Sequence, residues 1–190
     1  MHAGQRSVAL DFRDDSDVAT LAALLAAADV VIEGSRPRAL EQLGISAVDL
    51  ASRGPRVWVS LTGYGRDPAH AMRVALGDDA AAAGGLVGWA DAGPVFVADA
   101  VADPVTGLVA ARAIVDAVAS GGRWLIDLAL ARVASAVAPR AGDPVVRPLP
   151  RGLAGRAPPS GAAPFALGLH TAEVLQEWLG RSSVESDLNI

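Results

Sequence analysis

The feature that most constrains this chain is the way short apolar runs alternate with stretches of helical spacing. Residues 7–12, Ser7-Val-Ala-Leu-Asp-Phe12, place Val8, Leu10 and Phe12 on one face and predict a strand. Asp14, Asp15 and Ser16 then offer negative charge and a cap to free helix N–H groups, and Val18, Leu21, Leu25 and Ala28 recur at helical spacing. Residues 29–32, Asp29-Val-Val-Ile32, are a short apolar run of the kind a strand buried on both faces needs. A short helix ending near Gly44, another around residues 48–52, and a strand over 55–61 follow. Residues 62–75 have loop composition, and 79–86 predict a helix weakened by Gly84-Gly85. Residues 94–97 predict a short strand. Asp103-Pro104 opens a long helix with Leu108, Ala111, Val115 and Val118 on one side, which Gly121-Gly122 ends before a strand at 124–128. This alternation predicts an α/β fold, a parallel sheet covered by helices.

The residue inventory removes whole classes of chemistry. All 16 basic residues are Arg, against 21 acidic ones, for a net charge of −5. Without a basic block the chain is poorly suited to nucleic acid or an anionic membrane. No Lys means no Schiff base and no phosphate-loop lysine; no Cys means no disulfide, thiol nucleophile or Cys-bound zinc. His2, His70 and His170 are too scattered for a local metal motif. The longest apolar stretch, 80–90, lies between Asp79 and Asp91 and is too short to span a bilayer. No charged-then-apolar leader follows Met1, so the expected compartment is the cytoplasm. Forty residues are Ala, so part of the 52% hydrophobic content is small side chains, and a mean hydropathy of +0.34 hints at surface shared with a partner.

Composition changes after Val137. Seven of the 12 prolines fall in 139–164, which reads as an extended linker or wrapping arm. A final helix is expected over 171–179, with Val174, Leu175 and Trp178 on one face, and 182–190 as a frayed tail. The expected organisation is a main α/β region at 1–137, a Pro/Gly/Arg-rich linker at 138–167 and a C-terminal helix and tail at 168–190.

Seven segments in order carry a resemblance. They are Gln5-Arg-Ser-Val-Ala-Leu-Asp11, Ala28-Asp-Val-Val-Ile-Glu33, Arg36-Pro37 with Leu43-Gly44, and Val59-Ser-Leu-Thr-Gly-Tyr-Gly65. Asp99-Ala-Val-Ala-Asp-Pro-Val-Thr-Gly107, Ile126-Asp-Leu-Ala-Leu130, and Gly168-Leu-His-Thr171 with Val174-Leu175 complete them. Together they resemble the class III CoA-transferases (CaiB/BaiF type), a family that includes formyl-CoA and carnitine CoA-transferases and α-methylacyl-CoA racemases. The resemblance implies a nucleotide-fold-like large domain. It is incomplete here: the family's first strand and helix and its smaller domain have no counterpart, so the expected protein is a shortened member.

The same resemblance implies the site residues. Asp103 matches the catalytic aspartate. A lone carboxylate, with an ordinary pKa of about 3.9, is ionised at neutral pH and needs no base to be nucleophilic. Asp followed by Pro reads equally as a helix cap and first residue, and the two roles are compatible. Arg36 and Arg73 match basic residues near CoA, where a guanidinium suits phosphate, although each also reads as a solvated surface charge. Gly34 and Ser35 stand where the family usually has Asn and Phe. Leu10 matches a residue whose backbone borders adenine and otherwise reads as core. Asp78-Asp79 without a third ligand reads as a helix cap rather than a metal site, Tyr64 as turn packing, and His170 as structural. The racemase histidine has no match in Val74-Ala-Leu-Gly-Asp-Asp79; His70 is nearest and falls outside it.

The implied function is movement of CoA between carboxylic acids through an anhydride and thioester on Asp103, with acyl-CoA and an acid acceptor as substrates and no metal. The alternative is an inactive or partner-dependent paralogue that binds acyl-CoA or a sister subunit; racemisation is the weaker third. A homodimer, or a complex with a related chain, is expected.

Overall fold

The computed structural model describes residues 4–139 and 163–180. The chain forms two compact units, Met1–Leu24 with Gly142–Ile190, and Leu25–Ala141.

The larger unit takes up the chain near the end of α1 (Asp15–Ala27) and continues through β1 (Val30–Glu33), α2 (Pro37–Gln42), α3 (Ala47–Arg53) and β2 (Val57–Thr62). After a loop come α4 (Gly77–Ala83), β3 (Val87–Ala90), β4 (Gly93–Phe96), α5 (Ala102–Ser120), β5 (Trp124–Ala129) and α6 (Leu130–Val137). The main sheet has the order β1-β2-β5 and is wholly parallel, with Val30 opposite Val57 and Val57 opposite Trp124. Central β2 is the most buried element, because helices cover both of its faces. Strand alternation sends Trp58 to one side, onto Val31, Ala47 and Ala51, and Val57 and Val59 to the other, onto Ala110 and Ala117. Between them these two clusters fix the register, since a one-residue slip would exchange the faces.

A third cluster joins α4, α5 and α6 through Ala80, Ala81, Leu86, Ala102 and Ala134. Here the alanine-rich composition has a use, because methyl groups let helices approach closely. At Gly84 the approach is closest: a Cβ there would lie 2.5 Å from Ala134 Cβ and 2.7 Å from Ala131 O. Gly84→Val is therefore expected to cost about 1–3 kcal/mol through overpacking, read as a lower urea midpoint at unchanged m-value.

The parallel α/β architecture agrees with the sequence reading, and four details differ. Of the expected strand at 7–12, residues 7–11 take no regular secondary structure and join neither sheet of the described residues, and Phe12 lies in a turn. Its donors go to side chains instead: Ser7 N–H to His170 Nδ1, Ala9 N–H to Thr171 Oγ1 and Asp11 N–H to Asp17 Oδ2, at 3.0, 3.0 and 2.7 Å. The 94–97 strand exists as β4, paired antiparallel with β3, which periodicity over so few residues did not reveal. Helix α6, directly after β5, was also missed. The face of α5 is the fourth. Leu108, Ala111, Val115 and Val118 face outward, with Leu108 74% and Val115 63% exposed, whereas Ala102, Thr106, Ala110 and Ala117 are buried. The small-residue stripe seats the helix against β2, and the bulkier stripe is left outside.

In the smaller unit, α7 (Thr171–Leu179) has the bounds its sequence predicts. His170 N–H donates to Ser7 O and Gly168 N–H to Ser7 Oγ, each at 3.0 Å, so His170 ties the two ends of the chain together, a structural role. The linker expectation falls chiefly on 140–162 and the tail on 182–190, outside the described residues.

Candidate active site

In a parallel sheet the loops leaving the C-terminal ends of the strands converge, and ligands of such folds bind there. In the larger unit this end opens into a cavity of about 450 Å³. Gly34, Ser35 and Arg36 arrive from β1, Thr62 and Gly63 from β2, Arg73, Val74 and Ala75 from the loop before α4, Leu130 from the end of β5, and Asp103, Thr106 and Gly107 from the first turns of α5. Arg36, Arg73 and Asp103 thus line one cavity, although they are far apart in sequence. Leu10 belongs to the other unit, where it is half-buried.

Asp103 is exposed and lies one residue inside α5, whose N-cap is Val101 with no side-chain cap. The capping role is therefore corrected: the helix starts before Asp103, and no described group hydrogen-bonds to its carboxylate. That leaves the carboxylate without a hydrogen-bond partner among the described residues, in the first turn of a helix whose free N–H groups favour negative charge. The Arg73 guanidinium carbon sits 3.7 Å from the centroid of the Tyr64 ring. The chain's one tyrosine therefore holds a cavity arginine flat by cation–π attraction, a more specific task than turn packing.

Beneath the Gly34-Ser35-Arg36 loop lies a network that the sequence reading did not assign. Glu33 is buried at the end of β1; its Oε2 accepts from Trp58 Nε1 at 3.0 Å and from Ser60 Oγ and an Arg66 nitrogen at 3.4 Å. Its Oε1 accepts from Ser35 Oγ at 3.1 Å, and Arg66 also donates to Ser60 Oγ at 2.9 Å and, by its backbone, to Asp127 Oδ2 at 3.0 Å. Glu33 therefore anchors the loop that carries Arg36. A charged residue closing an apolar strand run was the available signal, since burial of a carboxylate demands partners.

His70 Nδ1 lies 2.7 Å from Asp67 Oδ1, and this hydrogen bond holds Asp67 below the ordinary carboxylate range. The pair is outside the cavity lining. Asp78 and Asp79 each accept a backbone N–H, from Ala100 at 2.7 Å and Leu76 at 3.4 Å. Thr106 is 2% exposed, and its hydroxyl has no partner among the described residues. Thr106→Val is accordingly expected to leave stability unchanged or raise it by about 1 kcal/mol, because the change removes an unsatisfied group at constant shape. Thermal unfolding checks this, and a clear loss would show a hidden partner. No helix among the described residues is long and apolar enough to cross a membrane.

The fold and cavity define a parallel α/β protein with a carboxylate and two arginines at the strand ends. Residues 1–143 match CoA-transferase family III, and the chain belongs to that family. It is 31% identical over 142 residues to a succinate–glutarate CoA-transferase of Agrobacterium fabrum, covering 70% of this chain and 36% of that protein. A succinyl-CoA:glutarate CoA-transferase of Mus musculus is 32% identical over 114 residues, 58% of this chain and 26% of that one. The crystal structure of a CaiB/BaiF family protein from Brucella suis superposes with a TM-score of 0.63 at 31% identity, covering 72% of this chain and 38% of that chain. The chain thus spans well under half the length of these relatives.

Proposed function

We propose that this chain moves CoA between carboxylic acids in the cytoplasm, with Asp103 as the nucleophile. The observation that carries the reading is the meeting of Asp103 with Arg36 and Arg73 in one cavity. Asp103 attacks the thioester carbonyl of an acyl-CoA; the C–S bond breaks, leaving a mixed anhydride and CoA thiolate. The thiolate then attacks the aspartyl carbonyl and releases the donor acid as its carboxylate. An acceptor carboxylate reverses the two steps and leaves as the new acyl-CoA, so no net proton is exchanged and a carboxylate serves at every stage. Arg36 and Arg73 supply cationic donors for the CoA phosphates. Racemisation has less support, since the nearest histidine is paired with Asp67 outside the cavity.

The second reading, a protein that binds acyl-CoA without turnover or depends on a sister chain, draws on the exposure of Asp103. An anhydride open to water hydrolyses in competition with transfer. The outward stripe of Leu108, Val115 and Val118 supports assembly as a dimer or with a related chain. Mixing the protein with labelled succinyl-CoA and digesting it is expected to show an acyl or CoA adduct on the peptide bearing Asp103. CoA binding without any adduct would favour the second reading. Sedimentation at micromolar concentration is expected to show a dimer or larger species.

A further inference from the structure

We propose that Asp78 is a positioning residue whose carboxylate latches a left-handed turn at Ala100 and thereby sets where the Asp103 carboxylate stands in the cavity. Its kinetic consequence rests on the reading of Asp103 as nucleophile. Among the described residues, Ala100 is the only non-glycine at positive φ, +46°. An L residue holds that conformation only where its surroundings impose it, and such residues gather at functional sites. Two hydrogen bonds flank it. Ala100 N–H donates to Asp78 Oδ1 at 2.7 Å, and Ala100 O accepts the N–H of Asp103 at 3.0 Å. One strained residue therefore couples the first turn of α4 to the first turn of α5.

Gly77 closes the same contact from the other side. A Cβ at 77 would lie 2.7 Å from Ala100 O, 2.8 Å from Ala100 Cβ and 2.8 Å from Asp103 Cγ. Bare backbone at 77 leaves room for the turn and the Asp103 side chain, while the carboxylate at 78 holds the turn. Neither Asp78 nor Ala100 lines the cavity, so Asp78 acts through Asp103 and not on substrate. The neighbouring Asp79 spends its side chain on Leu76 N–H of its own helix start, which leaves the latch to Asp78 alone.

The test pairs a kinetic with a non-kinetic readout. Asp78→Ala is expected to slow adduct formation on Asp103, followed by quenched mass spectrometry, by about tenfold or more, with the dissociation constant of succinyl-CoA moving less than about twofold. Asp78→Asn keeps an oxygen acceptor and is expected to stay within about threefold of the parent. Adding Ala100→Gly to Asp78→Ala is expected to recover most of the loss, because glycine holds positive φ unaided. Amide hydrogen exchange at Ala100 and Asp103 is expected to accelerate in Asp78→Ala but not in Asp78→Asn. Unchanged exchange at these amides, or a loss that Ala100→Gly does not relieve, overturns the latch. If Asp78→Ala does not fold, Ala100→Gly with and without it decides: a loss of activity or protection still about tenfold in the glycine background overturns the proposal. A parent chain that binds succinyl-CoA but forms no adduct counts against Asp103 as nucleophile; the exchange measurement then judges the latch by itself.

Discussion

Asp103→Asn is expected to abolish adduct formation, a fall of at least about a thousandfold, while the protein stays folded. The amide matches the carboxylate in shape but has no anionic oxygen with which to attack a thioester. Stability should hardly move. The side chain neither caps α5 nor takes part in a described hydrogen bond, so the loss is limited to a favourable charge in a helix first turn, about 0.3–1 kcal/mol. Mass spectrometry after mixing with acyl-CoA, together with thermal unfolding, separates chemistry from fold. Survival of the adduct in Asp103→Asn removes Asp103 from the role.

Glu33→Ala is expected to be the most destabilising single change considered, about 3–5 kcal/mol. The Glu33 and Arg66 side chains are only 3% and 15% exposed, which places this pair in the buried regime. Without Glu33 the Arg66 charge keeps only the weak, exposed Glu41 at 4.0 Å as an ion-pair partner among the described residues. Trp58 Nε1, at the centre of one core cluster, loses its acceptor at the same time. With natural domains stable by only about 5–15 kcal/mol, such a loss consumes much of the margin. Glu33→Gln should cost less, because an amide oxygen can still accept from Trp58. The anchored Ser35 links this core change to the cavity, so weaker CoA binding is expected alongside the lower urea midpoint. A loss below about 1 kcal/mol would show that Glu41, 4.0 Å away, suffices to hold the Arg66 charge.

Legibility differed by element, for physical reasons. The runs around Val31, Val59 and Ile126 were readable as strands from their apolar residues, although only central β2 is buried on both faces. Ile32 in β1 is 58% exposed, and most of β5 is exposed or half-buried. Helix α7 was readable because its apolar spacing, with Val174, Leu175 and Trp178 on one face, is local. Residues 7–12 show the opposite case. Their alternation is that of a strand, yet a strand exists only with a pairing partner, and here the N–H groups found His170, Thr171 and Asp17. In α5 hydropathy favoured the Leu108–Val115 side, whereas the core took the alanine stripe, since distance to β2 and not side-chain hydrophobicity decided which face fits.

The same division runs through the site. The resemblance carried by seven segments in order is what proposes Asp103, Arg36 and Arg73; by residue type alone Asp103 reads as well as a helix cap and the two arginines as surface charge. Their meeting in one cavity, the seating of Arg73 on Tyr64, and the anchoring of the Arg36 loop by Glu33 were decided by the sheet. Strand order brings distant loops to one edge, and a buried charge reveals its partners only after the chain has packed around it. The sequence alone determined which residues could act; tertiary structure determined which of them stand together, because proximity across a parallel sheet is set by crossover connections and packing, not by separation along the chain.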